Sequence, residues 1–188
     1  MPVAPRPYLA QGYVTPYPRR EVLLRWLWAF VQATVFRWSP RPCHRWRVEL
    51  LRLFGATITV PSQVVVFPTV RVLHPWKLTL EPRSMLGPHV NVYNLARITL
   101  SFGANVSQFT HLCAGSHDYM RWSMPLLARP IVIGENAWVG ADVFVGPGVT
   151  IGELTVIGAR SVVVKDQPAR MVCAGNPCRP LKPRLDPE

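Results

Sequence analysis

Aliphatic residues recur at every sixth position over the second half of the chain, and this period is the main structural signal of the sequence. Glycine directly follows five of the six strongest positions, and a small or β-branched residue stands four places after five of them. The six positions are Ile133, Val139, Val145, Ile151, Ile157 and Val163. An α-helix does not keep one aliphatic stripe at a period of six, whereas short strands separated by tight turns do. The pattern predicts one brief strand and one corner per six residues, with glycine where the backbone bends.

The same register extends upstream and divides the aliphatic positions into five groups of three. The interval inside each group is six, and the joins between groups are ten, eight, twenty-one and six residues long. The additional groups are Ile58, Val64 and Val70; Leu80, Leu86 and Val92; and Leu100, Val106 and Leu112. If three hexapeptides form one triangular coil, every insertion falls at the same corner of a prism. We therefore expect about five coils over residues 56–167, with the aliphatic side chains inside.

Two apolar helices are predicted before the repeat, and a proline-rich arm before the helices. Five prolines in the first eighteen residues favour an extended arm over residues 1–20. An apolar segment over residues 21–38 ends beside a Ser-Pro pair, and a second over residues 43–54 stops at a glycine. We expect this helical segment, residues 21–55, and the tail, residues 168–188, to cap the open ends of the stacked coils.

Composition and charge narrow the class of protein. Hydrophobic residues make up 49% of the chain and charged residues 16%, so the chain is globular rather than disordered. The formal net charge is +11, but the basic residues gather near the two ends and no nucleic-acid-binding motif accompanies them. Nucleic acid is therefore not an expected partner, whereas an anionic small molecule or an anionic membrane surface suits the basic ends.

Cysteine usage and the apolar segments bear on where the protein works. The four cysteines have neither CxxC pairs nor metal-type spacing, which favours reduced thiols in the cytoplasm. The longest apolar segment, residues 22–36, contains Arg25 and Gln32 and is too short to span a bilayer comfortably. Because this segment is rich in tryptophan and flanked by arginine, peripheral association of the N-terminal helix with the inner face of a membrane is a hypothesis.

The longest insertion, residues 116–132, is where we expect the chemistry, because long excursions from an economical scaffold usually carry function. His117 lies at its root, next to a rigid strand corner. An imidazole ordinarily titrates near neutral pH and is suited to take a proton from a hydroxyl, although a lone histidine is also compatible with a plain surface role. Asp118 is not expected to orient His117, since adjacent residues seldom face each other on an extended chain.

Several short motifs are shared with a known family. They are Pro75-Trp76, Tyr93-Asn94-Leu95 and residues 115–119, 130–133, 137–140, 146–152 and 174–177. Together they cover much of residues 20–182 and resemble the hexapeptide-repeat acetyltransferases of the colanic acid biosynthesis type, relatives of the galactoside, maltose and nodulation O-acetyltransferases. The resemblance implies an all-β core formed by a left-handed parallel β-helix after an N-terminal helical segment. It also implies a homotrimer with active sites between subunits, which transfers acetyl groups from acetyl-CoA to a sugar hydroxyl in exopolysaccharide or surface-polysaccharide biosynthesis.

The resemblance further implies roles for single residues of the reaction centre. His117 would act as general base on the acceptor hydroxyl, which attacks the thioester directly without a covalent acyl-enzyme. Backbone N–H groups near Gly140 and Ala141 would stabilise the oxyanion. Asn94 would contact the acceptor and Trp138 would wall the cleft, although a corner turn and an outward repeat position explain these two residues equally well.

The family pattern also implies a set of residues that bind CoA. They are Ala141, Ala159, Val164, Lys165, Arg179 and Lys182. The cations suit the phosphates of CoA. Ala141 and Val164 stand where the sugar-type enzymes have a hydroxyl residue and a threonine, so hydrogen bonds at these two positions would come from the backbone. No metal is expected.

Three alternatives stay open at this point. A zinc hydratase of the gamma carbonic anhydrase type needs three converging histidines, but His111 and His117 are six residues apart and therefore on different faces, and His89 lies on an earlier coil. A non-catalytic trimeric scaffold has no evident use for the long insertion. An N-acyltransferase acting on an amino sugar or sugar nucleotide keeps the fold and the base and changes only the acceptor.

Overall fold

The computed structural model describes residues 18–185, and most of them form a parallel β-solenoid of triangular cross-section. The predicted proline-rich arm lies almost entirely outside the described residues. In chain order the strands are β1 (Thr57–Ile58), β2 (Val65–Val66), β3 (Arg71–Val72), β4 (Leu78–Leu80), β5 (Met85–Leu86), β6 (Asn91–Tyr93), β7 (Ile98–Leu100), β8 (Asn105–Val106), β9 (His111–Cys113), β10 (Gly115–His117), β11 (Leu126–Ala128), β12 (Ile131–Ile133), β13 (Trp138–Val139), β14 (Phe144–Val145), β15 (Thr150–Ile151), β16 (Val156–Ile157), β17 (Val162–Val163), β18 (Met171–Gly175) and β19 (Cys178–Pro183).

Three stacked sheets form the three faces of the prism. Face 1 has the strand order β1-β4-β7-β12-β15, face 2 has β2-β5-β8-β13-β16-β18, and face 3 has β3-β6-β9-β14-β17. Neighbouring strands within each face are parallel, and β19 pairs antiparallel with β18 beyond the end of face 2. Five complete coils stack and β18 begins another, so the solenoid has about six turns where about five were predicted.

The aliphatic residues of the hexapeptide pattern fill the interior of the prism, as predicted. Ile133 pairs with Leu100 of the coil before it and with Ile151 of the coil after it, and all three side chains are fully buried. The same holds on the other faces, where residues one coil apart bring identical positions of the repeat into register. Each coil therefore buries one aliphatic side chain per face in a continuous column.

The first coil departs from the predicted register. Val66 and Val72, rather than Val64 and Val70, pair with the aliphatic residues of the second coil. A 3₁₀ turn at Pro61–Gln63 lengthens the corner between faces 1 and 2 and moves the inward positions along by two. One insertion therefore lies at this corner, whereas the others lie at the predicted corner between faces 3 and 1.

The glycines of the repeat allow successive coils to approach closely, which corrects their predicted role in bending the backbone. A Cβ atom on Gly134 or Gly140 would lie 2.7 Å from backbone atoms of the next coil. The corners bend instead at residues such as Asn136 and Asp142, which have φ angles of 51° and 58°. Asn and Asp tolerate this left-handed conformation better than most residues.

Helix α1 (Arg19–Val31), continued by a π-helix (Gln32–Phe36), covers the start of face 3. Trp28 Nε1 donates a hydrogen bond to Val72 O at 2.7 Å, and Val72 N donates to Gln32 Oε1 at 2.7 Å. Val72 belongs to the edge strand of face 3, so the helix pairs backbone groups that would otherwise lack a neighbouring strand. Within residues 18–185 no helix is long and apolar enough to cross a membrane.

Helix α2 (His44–Leu53) covers the edge strand of face 2 through the fully buried Arg47. Its guanidinium has five N–H donors, and each of them has a neighbour. Four of them donate hydrogen bonds, to Val66 O at 2.7 Å, Ser39 Oγ at 2.8 Å, Pro40 O at 2.8 Å and Arg41 O at 2.6 Å. The fifth faces His44 Nδ1 at 3.1 Å, but this nitrogen also lies 3.0 Å from Val66 O and must donate to that carbonyl. Burial lowers the pKa of Arg47, and the four hydrogen bonds offset much of the cost of burying the guanidinium charge.

We predict that Arg47→Ala lowers the free energy of unfolding by about 3 kcal/mol, because it leaves buried carbonyl groups without donors. Equilibrium urea unfolding followed by circular dichroism measures the change. Arg47→Lys keeps the charge but supplies fewer donors, so an intermediate loss is expected. Arg45→Ala, at an exposed position of the same helix, is the control, and equal stability of the two alanine variants would contradict the prediction.

Candidate active site

The long insertion at the corner between faces 3 and 1 folds as a β-hairpin. β10 pairs antiparallel with β11, with His117 opposite Leu126. The insertion was predicted over residues 116–132, but residues 131–133 already belong to face 1, so the excursion ends earlier. His117 is the last residue of β10, and its side chain is exposed.

The hairpin determines which nitrogen of His117 carries a proton. His117 Nδ1 lies 2.6 Å from Met124 O, on the other side of the hairpin turn. A carbonyl oxygen only accepts hydrogen bonds, so Nδ1 must be the donor. In the neutral imidazole Nε2 is then unprotonated and able to accept a proton. This arrangement gives His117 the tautomer that a general base needs.

Asp118 organises the turn of the hairpin and does not pair with His117. Its Oδ1 accepts a hydrogen bond from Met120 N at 3.1 Å, and its Oδ2 lies 3.2 Å from Arg121 Nε in an ion pair. Met124 N in turn donates to Arg121 O at 2.8 Å. The turn that carries Met124 O to His117 is therefore held by Asp118 and Arg121.

Asn94, the predicted contact to the acceptor, is fully buried and has a structural role instead. Its Oδ1 accepts from His74 N at 2.9 Å and its Nδ2 donates to His74 O at 2.6 Å. Because both ends of the amide bind the backbone of the preceding coil, the side chain is not presented to a substrate. This corrects the predicted contact to the acceptor, and the alternative of a left-handed corner residue is not observed either, since Asn94 has no positive φ.

His74 is a buried histidine that the sequence analysis did not single out. Burial, followed by smaller effects that include the charges of Lys77 and Arg25, lowers its pKa to about 4. The residue is therefore neutral at pH 7, and its ring packs 5.0 Å from that of Trp76. It precedes a 3₁₀ turn outside the hexapeptide register, so the repeat pattern contained no signal for it.

Trp138 and His117 lie on different parts of the prism. Trp138 is in β13 on face 2, is 49% exposed, and donates from Nε1 to Ser107 Oγ at 2.9 Å. The hairpin with His117 leaves the corner between faces 3 and 1. One chain therefore does not bring these two residues together across a face.

The residues predicted to bind CoA fall into three groups. Ala141 and Ala159 are one coil apart at the corner between faces 2 and 3. Val164 and Lys165 are exposed at the corner between faces 3 and 1, which is the corner of the His117 hairpin. The two cations at the C-terminal end, Arg179 and Lys182, are exposed on β19. The residues predicted to bind CoA therefore lie along two edges of the prism and on the C-terminal hairpin formed by β18 and β19.

The two backbone groups predicted to stabilise an oxyanion are not equivalent. Gly140 N donates to Ile157 O at 2.8 Å within the stacked coils, so its N–H is not available to a substrate. Gly140 O accepts from Thr110 Oγ1 at 2.8 Å. The candidate group at this corner is therefore the N–H of Ala141.

A cleft of about 480 Å³ lies between α1 and face 3, and the sequence analysis did not predict it. Its lining residues are Val22, Arg25, Trp26, Trp28, Ala29, Gln32, Arg71, Val72, Leu73, Asn91 and Tyr93. Arg71 and Asn91 are paired in register on β3 and β6, each immediately before an inward aliphatic residue. Their outward positions follow from the repeat, but the cleft depends on where α1 docks.

The histidines considered for a zinc site are spread over the surface of one chain. His89 stacks on Phe109 at a corner between faces 2 and 3, with ring centroids 5.0 Å apart. His111 lies on face 3, where burial lowers its pKa, and His117 lies on the hairpin. Within the described part of the chain no group of three His, Cys, Asp or Glu side chains is arranged to hold a metal ion.

A triangular parallel β-helix with a histidine hairpin at one corner defines the class of hexapeptide-repeat transferases, and sequence comparison agrees. Residues 130–165 match the family described as bacterial transferase hexapeptide (six repeats). A protein of Escherichia coli (strain K12) that carries the name colanic acid biosynthesis acetyltransferase WcaF is 50% identical over 162 residues, which are 86% of this chain and 88% of that protein. The chain therefore belongs to the WcaF family of hexapeptide-repeat acetyltransferases.

Solved structures give the same result, and two of them contain CoA or acetyl-CoA. A galactoside acetyltransferase in complex with coenzyme A superimposes with a TM-score of 0.80 at 26% identity, covering 92% of this chain and 86% of that one. A hexapeptide-repeat acetyltransferase of Vibrio cholerae O1 biovar eltor in complex with acetyl coenzyme A gives 0.78 at 25% identity, covering 93% and 94%. Membership of this family makes the protein an acetyltransferase, which excludes the hydratase and scaffold alternatives.

Proposed function

We propose that the protein transfers the acetyl group of acetyl-CoA to a hydroxyl of a saccharide during the synthesis of an exopolysaccharide or another surface polysaccharide. The observation that carries the proposal is the hydrogen bond between His117 Nδ1 and Met124 O, which leaves Nε2 as a proton acceptor. The saccharide acceptor is supported by the names of WcaF and of the galactoside O-acetyltransferase of Escherichia coli (strain K12), which is 47% identical over 66 residues.

We propose that the acetyl group passes directly from CoA to the acceptor, without a covalent bond to the enzyme. His117 Nε2 takes the proton of the acceptor hydroxyl as the oxygen attacks the thioester carbonyl carbon. The tetrahedral intermediate then loses the CoA sulfur, and the proton on Nε2 passes to that thiolate. Acetylated saccharide and free CoA thiol leave, and His117 returns to its starting tautomer. The Ala141 N–H is the proposed donor to the oxyanion.

We place the active site between subunits of a homotrimer, which is the usual assembly of this family. The separation of His117 and Trp138 within one chain supports this arrangement, because the two residues meet only if they come from different subunits. Trp138 then forms a wall of the cleft next to the reacting thioester. Asn94 is left out of this site, since its amide is used within the fold.

CoA is proposed to lie along the edges of the prism that carry Ala141, Ala159, Val164 and Lys165. The two alanines have short side chains, which leave room beside the backbone of this edge for the extended pantetheine chain. The exposed side chains of Asp142 and Arg160, an ion pair at 3.5 Å, project from the same corner. Arg179 and Lys182 on the last hairpin are proposed to bind the phosphates at the nucleotide end.

The first helix is proposed to rest on an anionic membrane surface. Leu23, Trp26, Leu27 and Phe30 follow helical spacing along one side of α1 and are between 52% and 73% exposed. Trp28, on the opposite side, is buried against the solenoid. Arginines at positions 19 and 20 begin the helix, and aromatic residues combined with basic residues suit an interfacial location. This location favours an acceptor that is linked to a lipid.

We predict that His117→Ala lowers turnover roughly 10²- to 10⁴-fold, the usual contribution of a general base. The measurement is the release of CoA thiol from acetyl-CoA, with the best acceptor from a panel of neutral and acidic glycosides. The panel includes amino sugars, and a preference for their amines would favour the N-acyltransferase alternative. His89→Asn, at an exposed corner with a φ of 59°, is the control. Turnover of His117→Ala equal to that of the control would remove His117 from the mechanism.

We predict that acetyl-CoA and desulfo-CoA bind the purified protein with dissociation constants on the order of micromolar, measured by isothermal titration calorimetry. Replacing both Arg179 and Lys182 by Gln should weaken binding about tenfold, since two charge-assisted contacts to phosphate are lost. A variant with Gln at both Arg45 and Arg97, two exposed positions outside the last hairpin, controls for the net charge. No weakening, or the same weakening in the control, would exclude the last hairpin from the CoA site.

We predict that the protein sediments with vesicles containing anionic phosphatidylglycerol at low salt and that Trp26→Ala reduces the bound fraction. The physical reason is the loss of an aromatic side chain that inserts at the interface. Trp122→Ala removes an equally large exposed tryptophan from the hairpin and is the matched control. The membrane proposal fails if the protein stays in the supernatant, or if the Trp122 variant loses binding instead.

A further inference from the structure

The cleft between α1 and face 3 has a strongly basic character. Arg25 of the helix and Arg71 of the edge strand β3 both line the cleft, so each wall contributes an arginine. No Asp or Glu is among the lining residues. The positive potential of this region also reaches the buried His74, whose pKa is lowered in part by the charge of Arg25. Two converging guanidiniums are a common way to hold a carboxylate or a phosphate.

The other groups of the cleft suit a saccharide. Trp26 and Tyr93 provide aromatic surface on the helix side and on the solenoid side. Asn91 provides an amide, whose Nδ2 lies 3.5 Å from His111 Nε2 and retains further hydrogen-bonding capacity. A largely apolar wall with a few polar groups that converge is typical of sites for small organic ligands.

The cleft is close to the proposed base. Tyr93, which lines it, accepts a hydrogen bond through its carbonyl from Ala114 N at 3.0 Å. His117 follows Ala114 by three residues, which span at most about 10 Å of extended chain. The chain that lines the cleft at Tyr93 is therefore the direct neighbour of the chain that leads into the His117 hairpin.

We propose that this cleft binds the acceptor saccharide through an anionic group, a carboxylate or a phosphate, held between Arg25 and Arg71. This inference rests on the proposed acetyltransferase function and specifies the chemical class of its acceptor. All the residues that line the cleft belong to a single chain. The protein would therefore prefer an acceptor with a negative charge to a neutral sugar.

The test compares three probes on full-length protein saturated with desulfo-CoA, which occupies the donor site. Methyl β-D-glucuronide carries a carboxylate, glucose 1-phosphate carries a phosphate, and methyl β-D-glucoside is the neutral analogue. Ligand-observed NMR titration gives the dissociation constants. We expect one or both anionic probes to bind about tenfold more tightly than the glucoside, as for a charge-assisted hydrogen bond. Tighter binding of the glucuronide identifies an acidic sugar, and tighter binding of glucose 1-phosphate identifies a phosphorylated one.

Substitution of the two arginines tests whether the anionic probes bind in the cleft. Arg71→Gln and Arg25→Gln should each remove the preference for the anionic probes, whereas Arg71→Lys should keep part of it. Arg97→Gln is the matched control, because Arg97 is an exposed arginine that bonds Thr79 on face 1, away from the cleft. Equal affinity for charged and neutral probes, absence of anionic binding, or the same loss in the Arg97 variant would overturn the inference.

Measurements of CoA binding and turnover on the same variants show whether the acidic acceptor or the proposed mechanism is wrong. CoA binding without anionic preference would leave the acetyltransferase intact and reject the acidic acceptor. Anionic binding that depends on Arg71, in protein whose His117→Ala variant retains full turnover, would keep the cleft and reject the proposed base.

Discussion

Hydrogen bonding between successive coils is the constraint on which the rest of this structure depends. The strands of the faces are mostly two or three residues long, so each depends on its hydrogen-bonded neighbours in the adjacent coils. Coils one strand spacing apart leave no room for a side chain at Gly134 or Gly140. The same constraint leaves edge strands at the start of the stack, where Trp28 and Arg47 supply donors to the backbone. The helices are therefore part of the solenoid's hydrogen-bonding scheme.

The period of six was sufficient to predict the architecture because each aliphatic position is repeated in the coil above and below. It failed where the repeat is locally broken. At Pro61–Gln63 a 3₁₀ turn shifts the inward positions of the first coil by two residues. The hexapeptide pattern is weak there, so extending it upstream gave the wrong register. At the other end Gln167 lies opposite Ile151, two positions before the place that the period of six gives, so the last turn was not counted. The glycines were recognised, but only atomic spacing distinguishes close approach from bending.

Some features of the candidate site could likewise be predicted from short sequence motifs, whereas others depend on contacts between distant parts of the chain. His117 was predictable because its motif stands at a long insertion. The contact that selects its tautomer was not, since it depends on how the hairpin folds back to bring Met124 O to Nδ1. Asn94 was misassigned because its partner is the backbone of His74, one coil away. The cleft could not be predicted from the repeat, because one of its walls belongs to a helix whose docking position no periodicity encodes.

Helix α1 carries separate properties on its different sides, and this has a consequence for specificity. One side pairs with the edge strand through Trp28 and Gln32, which also line the cleft together with Arg25, and the other side exposes the apolar stripe that begins at Leu23. The proposed base lies on a hairpin of the solenoid instead. Substitutions at Arg25 therefore alter the proposed acceptor site without removing the hydrogen bonds of the cap or changing His117. In such an arrangement the residues of the reaction lie on the solenoid, and the sequence of the capping helix can vary with the acceptor.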